Sequence, residues 1–75
     1  MLNTYRDIIG LWPSHRVMAD DLKCNHWAVA KWWQRDSIPP EWWTEVVAAA
    51  HRAGHTAVTV DLLAAIAAGK RKEAA

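Results

Sequence analysis

Side chains that can bind anionic oxygen atoms recur through residues 14–37 of this 75-residue chain. Some are cations, and the others carry a hydroxyl or amide group that donates a neutral hydrogen bond. The candidate phosphate-binding residues are Ser14, Arg16, Lys23, Asn25, Arg35 and Ser37. The alternative is a solvated surface whose cations are partly neutralised by Asp20, Asp21 and Asp36.

A second group of side chains shares one face of the helix predicted for residues 26–35. At 100° per residue, Ala28, Val29 and Trp32 fall on an apolar side that faces a core. The opposite side collects His26, Trp27, Ala30, Lys31 and Gln34, which are candidates for contact with the base edges of a nucleic acid. Lysine can donate to guanine, glutamine can pair with adenine, and an indole can contact a thymine methyl. Trp27 has two further roles open to it, which are packing against the preceding helix or against a partner subunit.

Local sequence features place these residues on two short helices joined by a turn. Ser14 is the N-cap of a helix that ends near Leu22, because its hydroxyl can accept from a backbone N–H. The next three residues are long enough only for a turn. Asn25 is the N-cap of the helix over 26–35, and Pro39 ends it by disfavouring helical geometry in the residue before it.

Three more helices are predicted, so the fold class is all-α, a compact bundle of about five short helices. Thr4 caps the first helix, over residues 5–11. The fourth helix opens at the two prolines and ends before Gly54. The fifth begins after Thr59 and ends at Gly69.

The predicted domain covers residues 1–69, and residues 70–75 form a basic, disordered tail. Trp32 is expected in the core, because it lies on the apolar side of its helix. Surplus apolar surface at Trp42 and on the fifth helix, with Leu63, Ile66 and its alanines, favours a dimer.

Residues 14–33 resemble the helix-turn-helix of the Cro/C1-type repressors. Ala19 stands where that family has a small residue for contact between helices. The family's apolar positions are occupied by Met18, Leu22, Cys24, Val29 and Trp32. The continuation AVAKWWQRDSIPPEWW, followed by VVAAAHRAG, resembles a small Cro-like subgroup. That subgroup has a tryptophan in the recognition helix and an Ile-Pro step before the fourth helix.

The resemblance covers about residues 6–66, and the chain departs from the family at two positions. Lys23 stands where the family usually has glycine in the turn, and a positive φ there costs about 1 kcal/mol. Trp27 stands at the second position of the recognition helix, where the family usually has a polar residue, often glutamine.

This resemblance implies a sequence-specific, phage-like regulator of transcription that reads the major groove of double-stranded DNA as a homodimer. It also implies a cytoplasmic, nucleoid-associated protein that represses by excluding polymerase or activates by touching it. The net charge of only +1 and Trp27 favour an alternative, which is a protein-interaction adaptor or antirepressor that uses the fold without DNA. A third possibility is a structural DNA-binding protein with little sequence preference.

The sequence predicts neither an enzyme nor a metal site. His51 and His55 are four residues apart, but Gly54 should break the helix between them, and no acid or thiolate lies near in sequence. Cys24, as the single cysteine, excludes an internal disulfide and fits a reducing cytoplasm. The longest apolar run, residues 64–68, is far too short to span a bilayer. No signal peptide, cofactor or small-molecule ligand is predicted.

Overall fold

The computed structural model describes residues 2–74, with side chains described through residue 72. Within residues 2–74 the chain forms five α-helices and no β-strand, which confirms the all-α class. The helices are α1 (Tyr5–Ile9), α2 (His15–Leu22), α3 (His26–Arg35), α4 (Trp43–Arg52) and α5 (Val60–Ala74), with a 3₁₀ turn at Pro40–Trp42. None of the helices in this part of the chain has both the length and the apolar character needed to cross a membrane.

The starts that the sequence predicts for the first, second, third and fifth helices are confirmed by their capping hydrogen bonds. The Thr4 hydroxyl accepts from the backbone N–H of Asp7 at 3.1 Å, and the Asp7 carboxylate accepts from the backbone N–H of Thr4. The remaining caps are Ser14 to Val17 at 3.2 Å, Asn25 to Trp27 at 2.9 Å and Thr59 to Leu62 at 3.0 Å. Each cap satisfies a backbone N–H that has no partner within its own helix.

Helices α2, α3 and α4 are each followed by a residue in the left-handed region, namely Lys23 (φ 57°), Asp36 (φ 50°) and Gly54 (φ 91°). In each case the next residue donates its backbone N–H to the carbonyl five positions earlier, which is a Schellman motif. These bonds join Cys24 to Ala19 at 3.0 Å, Ser37 to Trp32 at 3.0 Å and His55 to Ala50 at 2.8 Å. Only Gly54 adopts this conformation without the steric cost that a Cβ imposes.

The core lies between α3 and the helices that surround it. Helix α3 contacts α1 and α2, α2 also contacts α4, and α4 contacts α5. The largest fully buried side chains are Ile8, Ile9, Met18, Val29, Ile38, Val46, Val58 and Leu63. Trp32 is 6% exposed, which confirms its predicted place in the core. The Trp43 indole N–H donates to the Ile38 carbonyl at 2.8 Å and fixes the corner between α3 and α4.

Three predicted helix boundaries differ from the structure. Helix α1 ends at Ile9, two residues earlier than predicted, because its cap residue Gly10 is a weak helix former. The segment after Pro39 first forms a 3₁₀ turn, and α4 begins only at Trp43. Gly69 does not end α5, which continues to Ala74.

The extension of α5 corrects the prediction of a disordered tail over residues 70–75. Residues 70–74 are helical, and Ala75 lies outside the described residues. The Lys70 ammonium group donates to the Asp36 carbonyl and lies 5.7 Å from the centre of the Tyr5 ring. These contacts stabilise the helix beyond Gly69. They offset the cost of about 1 kcal/mol that a glycine carries inside a helix.

The apolar surface that was expected to support a dimer is mostly used within the chain. Leu63 is fully buried, Ile66 is 7% exposed, and Trp42 is half-buried. The Trp42 ring centre lies 5.8 Å from that of Trp32. Trp42 therefore closes the core and is not the free apolar surface that the sequence predicts.

Candidate nucleic-acid interface

The C-terminal end of α3 is fixed to α1 by reciprocal capping. The Arg6 guanidinium donates to the Trp33 carbonyl at 2.7 Å and to the Gln34 carbonyl at 3.1 Å. In return, the Asp36 carboxylate accepts from the Arg6 backbone N–H at 3.0 Å. A cation therefore sits at the negative end of α3 and an anion at the positive end of α1, as the helix dipoles favour. These bonds set the orientation of α3 on the rest of the fold.

An aromatic stack supports the same end of α3 from outside. The Trp33 ring lies 5.5 Å from the His15 ring and 5.8 Å from the Arg6 guanidinium. Trp33 is 39% exposed, so it covers the junction between α1, α2 and α3 without entering the core. The Ile38–Pro39 corner is held separately, by the Trp43 indole.

The outer face of α3, defined as Trp27, Ala30, Lys31 and Gln34, is turned to solvent. Trp27 is 65% exposed, Lys31 and Gln34 are exposed, and Ala30 is half-buried. Within the described residues, the side chains of Trp27, Lys31 and Gln34 make no hydrogen bond. This exposure excludes burial against α2 as the role of Trp27, and it leaves DNA or a partner subunit as the alternatives.

His26 lies beside the outer face and contacts its most exposed member. The His26 and Trp27 ring centres are 4.7 Å apart, with the planes tilted by 35°. His26 is half-buried. It therefore limits the positions open to the Trp27 ring as well as offering a ring nitrogen to a ligand.

Two open concavities flank the ridge that Trp27 and Lys31 form along the outer face. One is lined by His15, Trp27, Ala30, Lys31, Trp33 and Gln34. The other is lined by Asn25, Trp27, Ala28, Lys31, Trp32, Arg35, Ser37 and Pro39. Neither lining, as far as the described chain shows, includes a carboxylate.

The nearby carboxylates lie away from the outer face. Asp20 and Asp21 line a separate concavity between α2 and α4, together with Glu45 and the cations Lys23 and Arg52. Asp21 also accepts from the Trp12 indole N–H at 2.8 Å. Asp36 caps α1 and lies 3.8 Å from the Lys70 ammonium group. The outer face is therefore more basic than the net charge of the chain suggests.

The candidate phosphate-binding residues surround α3 at three places. Ser14 and Arg16 are exposed at the N-terminal end of α2, and Lys23 and Asn25 are exposed in the turn before α3. Arg35 is exposed and Ser37 is half-buried at the C-terminal end of α3, where both line one of the concavities. The Asn25 side-chain oxygen is used as a cap, which leaves its amide hydrogens to donate.

Sequence reasoning missed Arg6 and Lys70 as residues that position α3. Their partners are 27 to 34 residues away in sequence, which no helical periodicity can indicate. One local feature did point to the junction, because Asp36 occupies a helix end at which glycine is preferred. The contact of the His15 ring with Trp33 likewise joins two helices, so local sequence does not indicate it.

His51 and Cys24 have structural surroundings. Residues with described side chains include no group of three or more histidine, cysteine or acidic residues that could hold a metal ion. The Nε2 atom of His51 lies 2.7 Å from the Val58 carbonyl, to which it donates. Burial raises the pKa of the Cys24 thiol, which favours the unreactive protonated form.

No family model, curated protein or solved structure matches the chain. The bundle and the basic, partly aromatic outer face of α3 are therefore the observations from which a function can be inferred.

Proposed function

We propose that this chain is a sequence-specific DNA-binding regulator of transcription, similar in kind to the Cro/C1-type repressors. In this proposal α2, the turn at Lys23 and α3 form a helix-turn-helix, and α3 enters the major groove of double-stranded DNA. Bound near a promoter, the protein represses by excluding polymerase or activates by contacting it. This function belongs to the cytoplasm and the nucleoid, and it needs no cofactor, small-molecule ligand or catalytic step.

The observation that carries this proposal is the outer face of α3, which is exposed and flanked by surfaces free of carboxylates in the described residues. A helix that enters the major groove needs side chains that reach base edges without repelling the phosphates. Lys31 and Gln34 supply hydrogen-bond donors at this face, and Trp27 supplies apolar area. The half-buried His26 and Ala30 border them.

The phosphate contacts would come from both sides of the inserted helix. Arg16 and Lys23 precede α3, and Arg35 follows on its last turn. Ser14 and Asn25 add neutral donors at the N-terminal ends of α2 and α3, where the backbone dipoles also favour anions. Ser37 adds a further neutral donor after the C-terminal end of α3. Such contacts fix the register of the protein on the duplex but do not read sequence.

Selection of bound duplexes from a random DNA pool tests the proposal. The full chain is incubated with the pool at a low and a higher salt concentration, and the retained sequences are compared. A regulator keeps a defined subset at the higher salt concentration, because base contacts depend less on released counterions. Equal loss of all sequences would identify a non-specific structural protein, and retention of none would contradict DNA binding.

Two substitutions separate base reading from phosphate binding on the selected duplex. Lys31→Ala should weaken binding by about 1–3 kcal/mol and relax the preference at one base pair. Arg16→Ala should weaken binding to all sequences and lower the salt slope by about one unit. If both variants lose affinity equally on selected and scrambled duplexes, Lys31 does not read a base.

The proposed regulator binds as a two-fold dimer on DNA. One recognition helix reads only a few base pairs, and proteins of this class pair half-sites one helical turn apart. The selected sequences should therefore be palindromic, with half-sites about 10 base pairs apart. Light scattering of the complex and footprinting measure this, and a monomer on an asymmetric site would contradict it.

The second candidate function is an adaptor or antirepressor that binds protein through the same surface. It is favoured by the 65% exposure of Trp27 beside Ala30 and Trp33, since exposed aromatic residues are enriched at protein interfaces. The DNA selection separates the two functions. An adaptor retains no duplex at either salt concentration, yet Trp27→Ala would abolish capture of its partner.

A further inference from the structure

We infer that Trp27 is a specificity-determining residue that recognises the 5-methyl group of a thymine in the bound DNA. This inference rests on the proposed function and names a chemical group that the outer face of α3 would read. Trp27 is the second residue of α3, and the N-terminal residues of a recognition helix are those that approach base edges.

The neighbours of Trp27 leave most of its ring exposed to solvent. The indole is 65% exposed and borders the concavities on both of its sides. Its neighbours on the two linings include Ala28 and Ala30, which are too small to cover it. The His26 ring, 4.7 Å away, supports it on the remaining side. The ring is thus held at a position where a base edge can reach it.

The chemistry of the indole decides which group it can recognise. An indole has one N–H donor and no acceptor, so it cannot form the bidentate bonds by which glutamine or arginine reads a purine. Its remaining surface is apolar, and the major groove offers one apolar group, the thymine methyl. Contact with that methyl removes apolar area of both partners from water, which is favourable.

Trp33 provides a matched control on the same helix. It is also exposed, at 39%, but it is covered by His15 and Arg6 at the junction with α1 and α2. It therefore offers less ring surface to a base than Trp27 does. A substitution of each tryptophan by phenylalanine keeps an apolar ring at both positions.

The test uses the duplex that the full chain selects, with each thymine replaced in turn by deoxyuridine, which lacks only the methyl group. The native chain should bind about three- to fivefold less tightly at one thymine position, the equivalent of about 0.8 kcal/mol for one buried carbon. Trp27→Ala should bind both duplexes equally. Trp27→Phe and Trp33→Phe should keep the difference, because both retain an apolar ring at position 27.

The outcomes separate this inference from the proposed function. If no duplex is selected, both fail. If a duplex is selected and every deoxyuridine replacement leaves binding unchanged, the proposed function stands and the methyl contact is wrong. A methyl dependence that persists in Trp27→Ala, or disappears in Trp27→Phe, also overturns an apolar contact by this ring.

Discussion

The inner and outer sides of α3 differ in burial and in the hydrogen bonds that they make within the protein. On the inner side Val29 is fully buried, Trp32 is 6% exposed, and the last carbonyls are bonded to Arg6. On the outer side, the side chains of Trp27, Lys31 and Gln34 form no hydrogen bond within the described chain. The inner side therefore fixes the helix, and the outer side is available to a ligand without loss of an internal side-chain hydrogen bond.

The same contrast separates the turns at the two ends of α3. Lys23 and Asp36 both adopt the left-handed conformation, at φ 57° and φ 50°. The Lys23 side chain is exposed, whereas the Asp36 carboxylate caps α1. Both residues carry a backbone cost that glycine would avoid. At Asp36 a contact inside the protein offsets that cost, and at Lys23 we propose that a phosphate contact does so.

The largest effect distinguishes the buried Trp32 from the exposed Trp27 on α3. Trp32→Ala should lower the free energy of unfolding by about 3–5 kcal/mol, because it leaves a cavity in the core. Trp27→Ala should leave it unchanged, since most of that side chain is already in water. Thermal or urea denaturation of both variants measures this. A matching loss in Trp27→Ala would mean that the outer side is also structural.

The next effect concerns the C-terminal end of α3, which Arg6 and Asp36 join to α1. Asp36→Ala should lower the free energy of unfolding by about 1–2 kcal/mol, because the Arg6 backbone N–H loses its acceptor. Asp36→Asn should lose less, since asparagine accepts a hydrogen bond and tolerates the left-handed conformation. Urea denaturation of both variants gives the order. Equal stability of the native chain and Asp36→Ala would show that the reciprocal cap contributes nothing.

Glycine at the two turns should have opposite effects on stability. Lys23→Gly should raise the free energy of unfolding by about 0.5–1 kcal/mol, as it removes a strained backbone and no internal side-chain bond. Asp36→Gly removes the same strain but also the cap, so it should not be stabilised. Urea denaturation of this matched pair measures both effects. An Asp36→Gly variant that is more stable than the native chain would contradict the difference proposed between the two turns. Lys23→Gly should also bind all DNA sequences more weakly.

The smallest effect is a pH dependence at the other cap of α1. The Asp7 carboxylate accepts from the backbone N–H groups of Asn3 and Thr4 at 2.9 and 3.1 Å, which lowers its pKa below the ordinary 3.8. Its stabilising contribution is therefore complete above pH 3.8 and is lost as the pH falls through the lowered pKa. The difference in free energy of unfolding between the native chain and Asp7→Asn should narrow as the pH falls below 3.8. A constant difference from pH 5 to pH 2 would contradict this account.

The sequence by itself determined the helices wherever a local interaction sets the boundary. Helix α3 begins after the Asn25 cap, and α2 begins after Ser14, because a side chain two or three residues away satisfies the free N–H. The burial of Trp32 followed from helical periodicity alone. These features depend on neighbours within one or two turns, so the sequence displays them directly.

Only the tertiary structure decided how the ends of these helices are used. Gly69 continues α5 because Lys70 reaches Asp36, 34 residues earlier, and Trp42 is half-buried because Trp32 lies beside it. The exposure of Trp27, which periodicity left open, depends on how closely α2 approaches α3. In each case the deciding contact joins residues on different elements, and its energy exists only after those elements have packed together.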